Sequence, residues 1–107
     1  MQTHKEIEEY TLSMPNARLD YPFGETVAVY KTAGNKMFAL ITEGSNPVRL
    51  SLKGDPQLNE ILREKYESVQ SGWHLNKKHW NTIIVSGQLS NDELKDLIRH
   101  SFELVNR

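Results

Sequence analysis

The chain has 107 residues, 37% hydrophobic and 25% charged, and no cysteine. That length supports one domain with its own core and is too short for two, and the missing thiols exclude a disulfide framework, a thiolate metal site and a cysteine nucleophile. Thirteen Lys and Arg against fourteen Asp and Glu give a net charge of −1; no apolar run approaches the roughly twenty residues of a membrane span, and MQTHKEIEEY carries acids where a signal peptide would be apolar. The expectation is a single cytoplasmic domain over residues 1–107 with no membrane contact.

Thr3 followed by Glu6 forms a capping-box pattern. Ile7, Tyr10, Thr11 and Met14 then recur at helical spacing, predicting about three turns of helix ended by Pro15 and Asn16. Residues 17–21 read as a short strand closed by the Pro22-Phe23-Gly24 turn cluster. The Gly34-Asn35 pair predicts a two-residue hairpin with Ala33 opposite Lys36, Lys31 opposite Phe38 and Val29 opposite Leu40. A five-residue loop over 43–47 then predicts Thr42 opposite Val48, Leu40 opposite Leu50 and Phe38 opposite Leu52. This register gathers Val27, Val29, Phe38, Leu40, Val48, Leu50 and Leu52 on a buried face. It leaves Ala28, Tyr30, Thr32, Met37, Ala39, Ile41, Arg49, Ser51 and Lys53 on the other.

Asp55 before Pro56 predicts an N-cap and a helix over about 56–66 carrying Leu58, Ile61, Leu62 and Tyr66 on one side. Thr82-Ile83-Ile84-Val85 reads as a buried strand. Ser90 with Glu93 predicts a second capping box, opening a C-terminal helix with the strongest apolar stripe of the chain, from Leu94 to Val105. Helices at the start, middle and end around consecutive antiparallel strands imply a two-layer α+β domain, with the helices on one face of an antiparallel sheet.

Charge is uneven along the chain. Residues 27–53 hold Lys31, Lys36, Arg49 and Lys53 against Glu43, and residues 69–89 hold Lys77 and Lys78 with no acid. These two stretches carry +5 and the rest −6, so a nearly neutral molecule can present a positive face to an anionic partner. The same distribution also arises when acids simply populate solvated helix faces.

Little here points to catalysis. His74 and His79 are five residues apart with no carboxylate near them in sequence, so no metal site is expected. No glycine-rich phosphate loop occurs and no serine sits in a GxSxG elbow, so neither a cofactor nor an enzymatic role is expected. The densest cluster of functional side chains is 73–81. There Lys77 and Lys78 suit phosphates, Asn76 and Asn81 suit base edges, and Trp73 or Trp80 suits stacking. An indole beside an apolar strand is also a common core anchor, and loop asparagines commonly bond their own backbone.

The sequence resembles the MmcQ/YjbR family of small bacterial proteins. The resemblance is carried by Ser13-Met14-Pro15, Tyr21-Pro22-Phe23-Gly24, Val29-Tyr30-Lys31, Lys36-Met37-Phe38-Ala39, Leu52-Lys53 with Asp55-Pro56, the block 72–82 (GWHLNKKHWNT) and 101–105 (SFELV). It implies a two-layer α+β fold and DNA binding through a double-wing-like arrangement, and it offers no catalytic residues to carry over. The leading expectation is therefore a module for double-stranded DNA whose phosphate contacts come from Lys77, Lys78, Lys53, Arg49, Lys31 and Lys36, with Asn76 and His74 as readers. The alternative is a protein-interaction or chaperone-like adaptor, or a homodimer, using Tyr30, Met37, Ile41 and Trp73 on the open sheet face. A third reading is a small-molecule groove beside Trp73 and His74.

Overall fold

The computed structural model describes residues 3–72 and 75–106. The elements are α1 (His4–Leu12), β1 (Arg18–Asp20), β2 (Val27–Lys31), β3 (Met37–Thr42), β4 (Val48–Lys53), α2 (Pro56–Lys65), β5 (Val69–Ser71), β6 (Trp80–Val85) and α3 (Asn91–Val105). All three predicted caps form. The Thr3 hydroxyl accepts from the Glu6 N–H, the Asp55 carboxylate accepts from the Gln57 and Leu58 N–H groups, and Ser90 and Glu93 close a reciprocal capping box. Each cap satisfies helix-start donors that would otherwise lack partners.

The strands make one six-stranded sheet in the order β1-β2-β3-β4-β6-β5, every neighbour antiparallel. β5 is absent from the sequence expectation. Gly72 follows it at a close approach: its N–H donates to the Trp80 carbonyl, and a Cβ there would stand 2.7 Å from the Trp80 Cβ. Only glycine lets the end of β5 lie this near β6.

The predicted register needs two corrections. The β2–β3 connection is a three-residue loop: Asn35 N–H donates to the Thr32 carbonyl, Thr32 N–H donates to the Lys36 carbonyl, and Asn35 takes φ 65°. This is a tight turn followed by a left-handed residue, a common solution for such hairpins. Lys31 therefore faces Met37, with a bulge between Tyr30 and Lys31. Beyond it, Leu40 pairs with Ser51 and Ile41 with Leu50, one residue off the predicted β3–β4 pairing.

Because side chains alternate, that slip turns β2 and most of β3 over relative to β4. Ala28, Tyr30, Ala39 and Ile41 join Val48, Leu50, Leu52, Ile83 and Val85 under the helices, with Ile7, Leu94, Ile98 and Phe102 packed on them. Val27, Val29 and Leu40 occupy the opposite face with Trp80 and Leu75. The bulge keeps Phe38 on the helix side, where its ring meets Phe102 edge-on at 5.2 Å between centroids.

Tyr30 and Ile41, expected on an exposed partner surface, are thus 0% exposed. Among the described residues the Tyr30 hydroxyl has no hydrogen-bond partner, and burial, with the Glu8 and Glu43 carboxylates nearby, raises its pKa far above the usual phenol range. A buried hydroxyl without a partner has given up its bonds to water and gained none in exchange, which costs stability. Tyr30→Phe is therefore expected to stabilise the domain by about 1 kcal/mol in urea unfolding; a loss of stability would show that the hydroxyl is bonded.

Candidate nucleic-acid interface

The open face of the sheet collects the charged strand residues. Arg18 pairs with Lys31 and Asp20 with Val29, while Arg49, Ser51 and Lys53 alternate along β4 opposite Ile84, Thr82 and Trp80. Parity therefore puts Arg18, Asp20, Lys31, Arg49 and Lys53 on the face away from the helices. The strands hold these four cations and one acid, whereas the three helices hold nine acids and five cations. The two layers thus carry opposite net charge.

Register further sorts the cations by end. The 32–36 hairpin, the end of β4 and the start of β6 lie together, because Lys31 faces Met37, Ala39 faces Leu52 and Lys53 faces Trp80. Lys36, Lys53, Lys77 and Lys78 therefore share one end of the sheet. Arg18, not singled out from sequence, joins them at the start of β1, where its guanidinium donates to the Asn35 side-chain oxygen at 3.2 Å. Its signal was the short strand at 17–21, which acquires meaning only once paired with β2. Arg49 stands apart, four residues along β4 from Lys53 or about 13 Å at strand rise.

Lys31 contributes no net charge to this set. Its ammonium lies 3.0 Å from the Asp20 carboxylate, and that contact, with the Tyr21 N–H, holds the Asp20 carboxyl below the usual carboxylate range. Among the described residues no carboxylate makes an ion pair with Lys36, Lys53, Lys77 or Lys78.

The lysine pair sits on a braced turn. The Asn76 side-chain oxygen accepts from the Lys78 and His79 N–H groups at 2.9 and 3.3 Å. Arg63 donates to the Lys77 carbonyl at 2.8 Å, Asn59 donates to the Lys78 and Gly54 carbonyls, and Gly54 N–H donates to the His79 carbonyl. Asn81, buried, donates to the Asn59 carbonyl and accepts from Arg63. A Cβ on Gly54 would collide with the Asn59 side chain. The backbone of 77–79 is thereby tied to α2 and β4, and the Lys77 and Lys78 residues remain exposed.

This geometry corrects the expectation for Asn76. Bidentate reading of adenine needs the amide oxygen as acceptor, and here that oxygen serves two backbone donors. His74 and Trp73 lie outside the described residues, as does the groove expected beside them. Trp80, 7% exposed, packs with Val29 and Leu40. Of the expected adaptor residues that are described, Met37 alone is partly exposed on the open face.

Beside the cations, a cleft of about 320 Å³ opens on the same face. Phe23, Val27, Leu40 and Leu75 supply its apolar walls. Thr42, Ser51 and Thr82 supply hydroxyls, the last two hydrogen-bonded to each other at 2.8 Å. Its residues come from two loops and four strands, so no local pattern announces it. Among the described residues no group of three His, Asp or Glu side chains is placed to hold a metal ion, and no helix is long and apolar enough to cross a membrane.

A six-stranded antiparallel sheet with three helices on one face and a charged open face defines an α+β domain of a recognisable kind. The YjbR family model matches residues 12–104, and the chain belongs to that family. It is 35% identical over 102 residues to the uncharacterized protein YbdF of Escherichia coli O157:H7, covering 95% of this chain and 83% of that one. It is 30% identical to the uncharacterized protein YjbR of Escherichia coli K12, covering 94% and 85% of the two chains. Among solved structures, Deinococcus radiodurans DR2400 superposes with a TM-score of 0.94 at 35% identity, over 100% of this chain and 80% of that one. A Pseudomonas syringae protein superposes with a TM-score of 0.81 at 28% identity, over 95% and 97%.

Proposed function

We propose that this chain is a DNA-binding module that holds phosphates at the cationic end of its open sheet face. The observation that carries the proposal is the separation of charge between layers. Arg18, Lys36, Lys53, Lys77 and Lys78 converge at one sheet end while the excess of acids lies on the helices. Such a molecule approaches a polyanion sheet first, although its net charge is −1. The braced turn adds to this, because lysines on a fixed backbone lose less freedom when they meet a phosphate. Asn76 does not supply sequence readout, since its acceptor is already occupied, and lysine–phosphate contacts carry no base information.

With few contacts and a pI near 6.4, affinity is modest and steeply dependent on salt. Lys77→Ala with Lys78→Ala is expected to weaken duplex binding and to lower the slope of log affinity against log salt by about two, near 0.9 per lost phosphate contact. Fluorescence anisotropy of a labelled duplex at several salt concentrations measures both. An unchanged slope removes the lysine pair from the interface.

A further inference from the structure

We infer that the cleft on the open face receives a single unpaired base of single-stranded DNA; this inference rests on the DNA-binding reading and narrows it to a form of DNA. The lining sets three demands on an occupant. Its walls are apolar and include an aromatic ring, Phe23, that is 62% exposed beside the opening, so the occupant has apolar faces on which a ring can stack. Thr42, Ser51 and Thr82 put hydroxyls at the cleft, Ser51 and Thr82 spending one bond on each other; a hydroxyl both donates and accepts, so the lining suits an occupant with a polar edge of mixed character. Among the described residues no acid or base lines the cleft, which suits an uncharged part of the occupant.

Basic residues flank the cleft along β4. Along β4 the open-face order is Arg49, Ser51, Lys53, with Ser51 in the cleft and a cation one side-chain repeat away in each direction. A nucleotide in a polynucleotide meets all of these demands. Its base has two π faces and a donor–acceptor edge, and a phosphate lies on each side of its sugar. The volume of about 320 Å³ sits at the lower limit of small-ligand sites, which suits one base. In a duplex the bases are stacked and paired, so none is available to enter. Hydroxyls that both donate and accept do not distinguish strongly among bases, so little sequence preference is expected.

The test compares a labelled oligothymidine with a duplex of equal length by fluorescence anisotropy at fixed salt, for the wild-type chain and for Phe23→Ala. Phe23 is exposed in a loop, so its truncation leaves the core intact. The single strand is expected to bind about tenfold or more tightly than the duplex. Phe23→Ala is expected to weaken single-strand binding by about five- to a hundredfold, the range of one lost base–aromatic stack, and to leave duplex binding within about twofold. Equal affinity for the two forms, or an undiminished single-strand affinity in Phe23→Ala, overturns the cleft assignment while salt-dependent duplex binding leaves the phosphate reading standing. Absence of salt-dependent binding to either probe overturns both.

Discussion

Ser101→Ala is expected to destabilise the domain by about 2–5 kcal/mol in urea unfolding, one of the largest losses available from removing a single oxygen. Ser101 is 0% exposed on α3. Its hydroxyl donates to the Phe38 carbonyl and accepts from the Lys53 N–H at 2.9 Å. The bulge at the start of β3 ends the regular β3–β4 pairing at Ala39 and Leu52, so one backbone acceptor and one donor face each other across a gap. The serine fills that gap from the helix above. Alanine leaves both groups buried without a partner, each at a cost of about 1–3 kcal/mol. A stability change below about 0.5 kcal/mol, the scale of an ordinary surface substitution, would show that the two groups bond elsewhere.

Asn59→Ala is expected to cost about 1–3 kcal/mol, and its second consequence separates stability from function. Asn59 is 3% exposed, and its amide holds the Gly54 and Lys78 carbonyls together. Without it the turn keeps Arg63 on the Lys77 carbonyl but loses its anchor to α2 at Lys78. Native-state hydrogen exchange is expected to quicken at the Gly54 and Trp80 amides, which bond the His79 and Asn76 carbonyls. Exchange at the buried Ile98 and Phe102 amides within α3 should follow only the global loss. If the lysine pair binds phosphate from a preset position, duplex affinity falls in this variant although every cation remains. Uniform exchange changes across the molecule would show that Asn59 contributes packing alone.

The parts of this fold that were legible in the sequence are those decided locally. Thr3, Asp55 and Ser90 announce their helices because a cap involves residues two or three apart. The two faces of β4 were legible as well, because Arg49, Ser51 and Lys53 alternate with apolar Val48, Leu50 and Leu52. For β2 and β3 the same reasoning fails. Val27, Val29 and Leu40 are as apolar as Ala28, Tyr30 and Ile41, since the sheet is buried on both sides there, and a period of two cannot choose between them. Beyond the bulge Val29 faces Leu40 as expected; the faces are decided by the one-residue shift between β3 and β4, and the end of that pairing is held by a serine 63 residues away in sequence. The cationic turn at 77–78 was visible as composition. Its convergence with Arg18 and Lys36 required the pairing of β1 with β2 and of β4 with β6.

The central claim is that the open sheet face, at its cationic end, is the surface that meets DNA. Nitrogen-15 correlation spectra recorded during titration with a short DNA oligonucleotide test it residue by residue. Shifts are expected at Arg18, Lys36, Lys53, Lys77, Lys78 and Thr82, growing with bound fraction and reversing as salt is raised, while the exposed positions Asp92, Asp96, Arg99 and Glu103 of α3 stay in place. Shifts concentrated on α3 with a silent sheet, or no shifts at low salt, would contradict the account.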